Sequence, residues 1–134
     1  MVFPVVTATA ASVLGLIYAV LSGWVIGGRL SFGVLQGDGG QEAMLRRMRI
    51  HANFGEYVPL ILLLDGLLEA GGSSGTLVGV LLVVLVVARL MHPFGMLAAP
   101  NSMNQYVLRG GAASATIVVL VISAVTLLVR CLTG

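Results

Sequence analysis

Residues 49–59 read RIHANFGEYVP and open a long apolar run with an arginine, an amide and a carboxylate. A helix advances about 100° per residue, so Asn53 lies about 40° from Arg49, and Glu56 lies about 20° away on the other side. These three side chains form one stripe, which we call the polar stripe. Because charge is costly in apolar surroundings, the stripe requires an explanation.

The composition around the polar stripe is that of a membrane protein. Of the 134 residues, 58% are hydrophobic and 9% are charged, and the mean hydropathy is +1.07. Soluble domains carry about 25% charged residues. The basic residues are all arginines, and the net charge of +2 is too small to suggest a nucleic-acid partner. We therefore predict an all-α integral membrane protein that binds no nucleic acid.

Several other classes are also disfavoured. Cys131 is the single cysteine, which excludes an internal disulfide and a cysteine-based metal cluster. No metal site is expected, because His51 and His92 have no histidine or carboxylate partner at a ligand spacing. The apolar stretch from Val5 to Gly28 is too long for a signal peptide and has no basic start, so we expect a retained membrane helix.

Four apolar segments separated by three loops predict a four-transmembrane-helix bundle, with a single domain over residues 1–134. Glycine-rich turns follow the first and second segments, and a stretch with proline and asparagine follows the third. The predicted helices cover about residues 2–35, 41–70, 76–97 and 104–131.

The arginines predict the orientation in the membrane. Only Asp65 and Glu69 lie near the second loop, whereas basic residues flank the first and third loops: Arg29, Arg46, Arg47, Arg49, Arg89 and Arg109. By the positive-inside rule, the first and third loops face the cytoplasm and both termini lie on the opposite side. In a bacterium the membrane would be the inner membrane.

This topology gathers polar residues of all four helices at the cytoplasmic face. Arginines suit the carboxylates of an anionic ligand through bidentate hydrogen bonds. Glu56 suits an amine, and the amide of Asn53 can donate to or accept from a peptide group. A small zwitterionic peptide with two carboxylates would use all of these groups.

A structural role is the alternative to ligand binding. Arg49 and Glu56 would then pair with each other or with a neighbouring helix and fix the register of the bundle. For His92 taken alone, a structural role is favoured over contact with a ligand. Asp65 lies among leucines, and its spacing indicates no role.

The polar stripe also resembles a known motif. The pattern RxxxNxxEYxP over residues 49–59 resembles the helix-2 signature of the MAPEG family, the membrane-associated proteins in eicosanoid and glutathione metabolism. The GDGG turn at residues 37–40, and RLMH at residues 89–92 followed by Gly95, are most similar to the bacterial inner-membrane branch. The resemblance covers nearly the entire chain.

The resemblance implies a homotrimer with glutathione sites between neighbouring subunits near the cytoplasmic face. Arg109 matches the helix-4 arginine that faces the glutathione sulfur, which makes it the expected catalytic residue. Arg29 and His51 would reach in from the adjacent subunit. The residues implied to hold glutathione are Arg29, Arg49, His51, Asn53, Glu56, Tyr57 and His92.

The implied activity is that of a microsomal-type glutathione transferase or peroxidase, with glutathione as co-substrate and a role in detoxification. A lipophilic electrophile or hydroperoxide would enter from the lipid bilayer between helices 1 and 4. The chain has Met96 where the eicosanoid synthases have a tyrosine, and Gly110 where the prostaglandin synthase has a serine. Two alternatives therefore remain: a non-catalytic glutathione- or anion-binding membrane protein with a structural or regulatory role, and a purely structural membrane protein.

Overall fold

The computed structural model describes residues 3–133 and contains the four predicted helices. A π-helical turn, Gln105–Gly110, leads directly into the fourth helix. No strand occurs within residues 3–133, so the predicted all-α fold is confirmed. The expected start of the first helix at Val2 lies outside the described residues. The helices are α1 (Val5–Phe32), α2 (Glu42–Ala70), α3 (Gly75–Leu97) and α4 (Gly111–Thr133).

The first helix ends earlier than its hydropathy predicts. Gly33 has a φ of 64°, and its N–H bonds to the carbonyl of Leu30, while the N–H of Val34 bonds to the carbonyl of Arg29. A glycine in the left-handed conformation after the last turn is a common helix end. The predicted end near residue 35 is therefore wrong, because Gly33 stops the helix at Phe32.

Most of the molecular surface is apolar along the helices. Three segments are long and apolar enough to cross a membrane: Val5–Phe32, Gly75–Leu97 and Gln105–Thr133. The remaining helix, α2, is 29 residues long, and it is less apolar because it carries the polar stripe and further charged residues. Exposed leucine, isoleucine and valine side chains cover the outside of the bundle. Such a surface suits lipid as the solvent.

The helices α2 and α3 occupy the middle of the bundle. Each of them contacts the other three helices, whereas α1 and α4 do not contact each other within residues 3–133. The core is formed by buried side chains from all four helices, including Leu14, Ile61, Leu85 and Val119. The predicted entry path between helices 1 and 4 is therefore not formed by these helices of a single chain.

Polar contacts join the helices at the end opposite the polar stripe. The carboxylate of Glu69 accepts hydrogen bonds from the N–H of Val6 (2.9 Å), the N–H of Thr7 (2.8 Å) and the Thr7 hydroxyl (2.7 Å). It thus satisfies free N–H groups at the N-terminus of α1. Arg130 donates to Ser73 at the same end. The start of α1, the loop between α2 and α3, and the end of α4 therefore lie together.

The role of Asp65 becomes clear in the folded chain. Ser123 on α4 donates a hydrogen bond of 2.6 Å to Oδ1 of Asp65 on α2, and both residues are fully buried. Hydrogen bonds between polar side chains help to hold helices together in lipid. Asp65 therefore links α2 to α4 in the middle of the bundle.

Candidate functional site

The polar end of the bundle contains a pocket of about 160 Å³ between α2, α3 and the start of α4. The structure thus brings together five of the residues that the sequence selects: Arg49, Asn53, Glu56, His92 and Arg109. The pocket is completed by small or apolar side chains, namely Ala52, Met96 and Ala113. Polar groups from three separate segments therefore face one space.

The helical spacing of α2 explains why its polar stripe faces this pocket. Ile50, Phe54, Val58 and Ile61 recur every three or four residues and are buried in the core. Positions three and four apart share one face of a helix. Burial of that apolar face leaves the neighbouring face, which carries the polar stripe, beside the pocket.

The charged side chains of the pocket do not form ion pairs with one another. Within residues 3–133, the ion pair that forms is Arg46 with Glu42, one helical turn apart and 2.5 Å between nitrogen and oxygen. Arg49, Glu56 and Arg109 are exposed in the chain. The pair between Arg49 and Glu56 that the structural alternative invokes is absent from the described residues. These charges therefore remain accessible to a ligand.

Arg109 is positioned by an unusually close approach of two backbones. A Cβ atom on Gly95 of α3 would lie 2.3 Å from the backbone nitrogen of Arg109 and 2.7 Å from its Cα. Only glycine allows α3 to lie this close to the π-helical turn. Short π-helical turns occur frequently at functional sites. Gly95 therefore determines where the backbone of Arg109 lies at the edge of the pocket.

Arg89 supports the pocket from the core of the bundle. It is 2% exposed, and its Nη1 donates to Oδ1 of Asn53 at 2.8 Å and to the Asn53 carbonyl at 3.4 Å. Its Nη2 donates to the hydroxyl of Thr116 on α4. The sequence places Arg89 on the same face as His92 but does not identify its contact with Asn53. An arginine in the long apolar run of α3 is the signal that marks it.

The other expected site residues do not line this pocket. Tyr57 is half-buried and packs against the core. His51 lies on the opposite side of α2, where its ring stacks on Tyr18 with centroids 4.5 Å apart and its Nε2 lies 3.0 Å from the hydroxyl of Ser22. Arg29 donates to two carbonyls in the loop after α1, at 3.1 and 3.2 Å. Their roles in binding a ligand therefore stay predictions.

Two comparisons with known proteins found similar sequences. The model of the MAPEG family matches residues 7–129. The chain is similar to inner membrane protein YecN from Escherichia coli strain K12, with 36% identity over 67 residues, which are 50% of this chain and 51% of YecN. The YecN of Escherichia coli O6:H1 gives the same values.

The match spans about half the length of these curated relatives, and no solved structure matches the chain. The family match is more extensive, because it extends from α1 into α4. Together with the apolar helices, it establishes an integral membrane protein of the kind found in glutathione and eicosanoid metabolism. The chain belongs to the MAPEG family.

Proposed function

We propose that the chain binds glutathione in this pocket and activates the glutathione thiol against a lipophilic electrophile or hydroperoxide. The observation that carries the proposal is the convergence of two arginines, an amide, a carboxylate and a histidine in one pocket. Arg49 would bind a glutathione carboxylate, and Glu56 would bind the ammonium group. Membership of the family supports glutathione as the ligand.

A neighbouring subunit is proposed to complete the site in a homotrimer. The pocket of one chain is about 160 Å³, whereas pockets for small-molecule ligands are typically about 300–1,000 Å³. His51 and Arg29 lie outside the pocket of their own chain, where they contact Ser22 and the loop after α1, and each would serve the pocket of an adjacent subunit. The lipophilic substrate would reach the thiol between α1 of one subunit and α4 of another.

Arg109 is the proposed catalytic residue. A free cysteine thiol has a pKa of about 8.5, so a site that stabilises the thiolate increases the reactive fraction near neutral pH. The positive charge of the Arg109 guanidinium can stabilise the negative sulfur where lipid excludes water. His92, at the same pocket, would contact the peptide part of glutathione.

The chemical steps follow from the thiolate. With an aryl halide, the sulfur forms a bond to the ring carbon, the halide leaves with its electron pair, and the thiol proton passes to water. With a hydroperoxide, two glutathione molecules are oxidised to the disulfide, while the hydroperoxide is reduced to an alcohol and water. In both reactions the protein supplies the positive charge beside the sulfur.

The test of this role is the variant Arg109→Ala. Removal of one hydrogen-bond donor that stabilises a developing anion costs about 10²–10³ in kcat. We expect a loss of this order in the conjugation of a generic aryl halide, with glutathione still bound according to calorimetry. Unchanged conjugation with glutathione bound would show that Arg109 does not stabilise the thiolate.

A second candidate function is glutathione or anion binding without catalysis. Met96 lines the pocket, at the position where the eicosanoid synthases of the family have a tyrosine. A thioether is a weak acceptor and donates no hydrogen bond. Binding without a thiolate absorption band would favour this candidate, with a structural or regulatory role toward a partner.

We also propose that the pocket faces the cytoplasm and that both termini lie on the other side of the membrane. The arginines at the polar end support this orientation through the positive-inside rule. Cys131 is exposed near the end of α4 and is the single cysteine. A membrane-impermeant maleimide should label Cys131 from outside intact cells. Labelling only after lysis would show that the protein has the opposite orientation.

A further inference from the structure

Arg89 is a buried cation without an acidic partner. The carboxylates of residues 3–133 form no ion pair with it, and its Nε has no hydrogen-bond partner among these residues. An arginine within a membrane segment is costly and usually faces a bundle interior, where it serves a function. Packing alone does not require a guanidinium here, because apolar residues of similar volume often replace buried charges without loss of stability.

The hydrogen bond from Arg89 to Asn53 indicates a specific role for this cation. A guanidinium can only donate hydrogen bonds, whereas an asparagine amide has one accepting and one donating end. The 2.8 Å contact between Arg89 Nη1 and Asn53 Oδ1 therefore turns the accepting end of the amide toward Arg89. Because Asn53 also lines the pocket, its NH₂ group is the end that remains for a ligand.

We infer that Arg89 is a positioning residue that fixes Asn53 as a hydrogen-bond donor to the ligand of the pocket. The inference rests on the proposed function, in which that ligand is glutathione. The ligand atom opposite Asn53 is then an acceptor, a peptide carbonyl or a carboxylate oxygen, and not an amide N–H. The sequence alone does not decide the direction of this hydrogen bond.

Arg89 is itself held from a second side. Its Nη2 donates to Thr116 on α4, and the Thr116 hydroxyl donates to the carbonyl of Ala112 at 2.8 Å. Arg89 therefore spans from α3 to both α2 and α4. This arrangement prevents the guanidinium from turning away, and it keeps the Asn53 amide in one orientation before a ligand arrives.

The first test is a double-mutant cycle on glutathione binding, measured by calorimetry in detergent. Arg89→Met should weaken binding by about threefold to tenfold, which corresponds to one hydrogen bond. In the background of Asn53→Ala, Arg89→Met should have no further effect, because Arg89 acts through Asn53. An equal loss in both backgrounds, or no loss in either, would overturn the inference. Leu90→Met, next to Arg89 but exposed on the outside of the bundle, is the matched control and should change nothing.

The second test needs no ligand and reports the hydrogen bonding of the Asn53 side-chain amide. In protein labelled with ¹⁵N-asparagine, the side-chain amide resonance of Asn53 should shift in Arg89→Met, while that of the exposed Asn101 stays in place. Should Arg89→Met fail to fold, Thr116→Val removes the other anchor of Arg89 and should shift the same resonance. An unmoved Asn53 resonance in a folded variant would overturn the inference.

The two tests also separate this inference from the proposed function. If the unmutated protein binds no glutathione but the Asn53 resonance shifts in Arg89→Met, the proposed function fails and Arg89 still orients Asn53. If glutathione binds with equal affinity to Arg89→Met and to the unmutated protein, the orienting role fails and the proposed function stands.

Discussion

Gly95→Ala should displace Arg109 although it substitutes no residue that lines the pocket. The added Cβ would lie 2.3 Å from the backbone nitrogen of Arg109 and 2.8 Å from the carbonyl carbon of Leu108. Ordinary contacts begin near 3.4 Å, so the π-helical turn must move by about 1 Å. A displacement of this size costs up to about 10²-fold in rate. Overpacking costs about 1–3 kcal/mol of stability, and the better helix propensity of alanine offsets about 0.5–1 kcal/mol of that.

The assay combines thermal unfolding in detergent with glutathione conjugation of an aryl halide. Gly79→Ala is the matched control on the same helix, because its Cβ would meet the nearest atom, Cγ1 of Val6, at an ordinary 3.9 Å. The control should unfold at the same temperature or slightly higher and keep its activity. If Gly95→Ala matched Gly79→Ala in both measurements, the close approach would not position Arg109, and the reasoning would be refuted.

Two further substitutions test the contacts away from the pocket. Ser123→Ala leaves the buried Asp65 without its partner and should lower the free energy of unfolding by about 1–3 kcal/mol. Adding Asp65→Leu should restore most of that loss, and a double variant as unstable as Ser123→Ala would contradict this. Glu69→Ala removes the carboxylate from the N-terminus of α1 and should cost about 0.5–2 kcal/mol in thermal unfolding; an unchanged midpoint would show that this cap contributes nothing.

The sequence predicts the features that depend on short-range periodicity. Four helices follow from four apolar segments, and the polar stripe on α2 follows from the spacing of Arg49, Asn53 and Glu56. The gathering of the other arginines at one end follows from charge bias and alternating helix direction, whereas Arg130 lies at the opposite end. Hydropathy misses the early end of α1, which Gly33 signals because a glycine after the last turn favours the left-handed conformation.

The missed features depend on contacts between distant residues. Asp65 meets Ser123, which lies 58 positions away, and no local spacing indicates that pair. Arg89 reaches Asn53 over 36 positions. The need for glycine at position 95 follows from the path of the π-helical turn, which hydropathy does not encode. Tyr57 lies outside the pocket although the family motif includes it, because it packs against the core.

The ultraviolet difference spectrum of the purified protein with added glutathione tests the central claim most directly, because it reports the thiolate itself. We predict a thiolate band that saturates with glutathione near neutral pH and that Arg109→Ala abolishes. Calorimetry on the same samples supplies the control for binding. Saturating glutathione without a thiolate band in the unmutated protein would contradict the claim that this site activates the thiol.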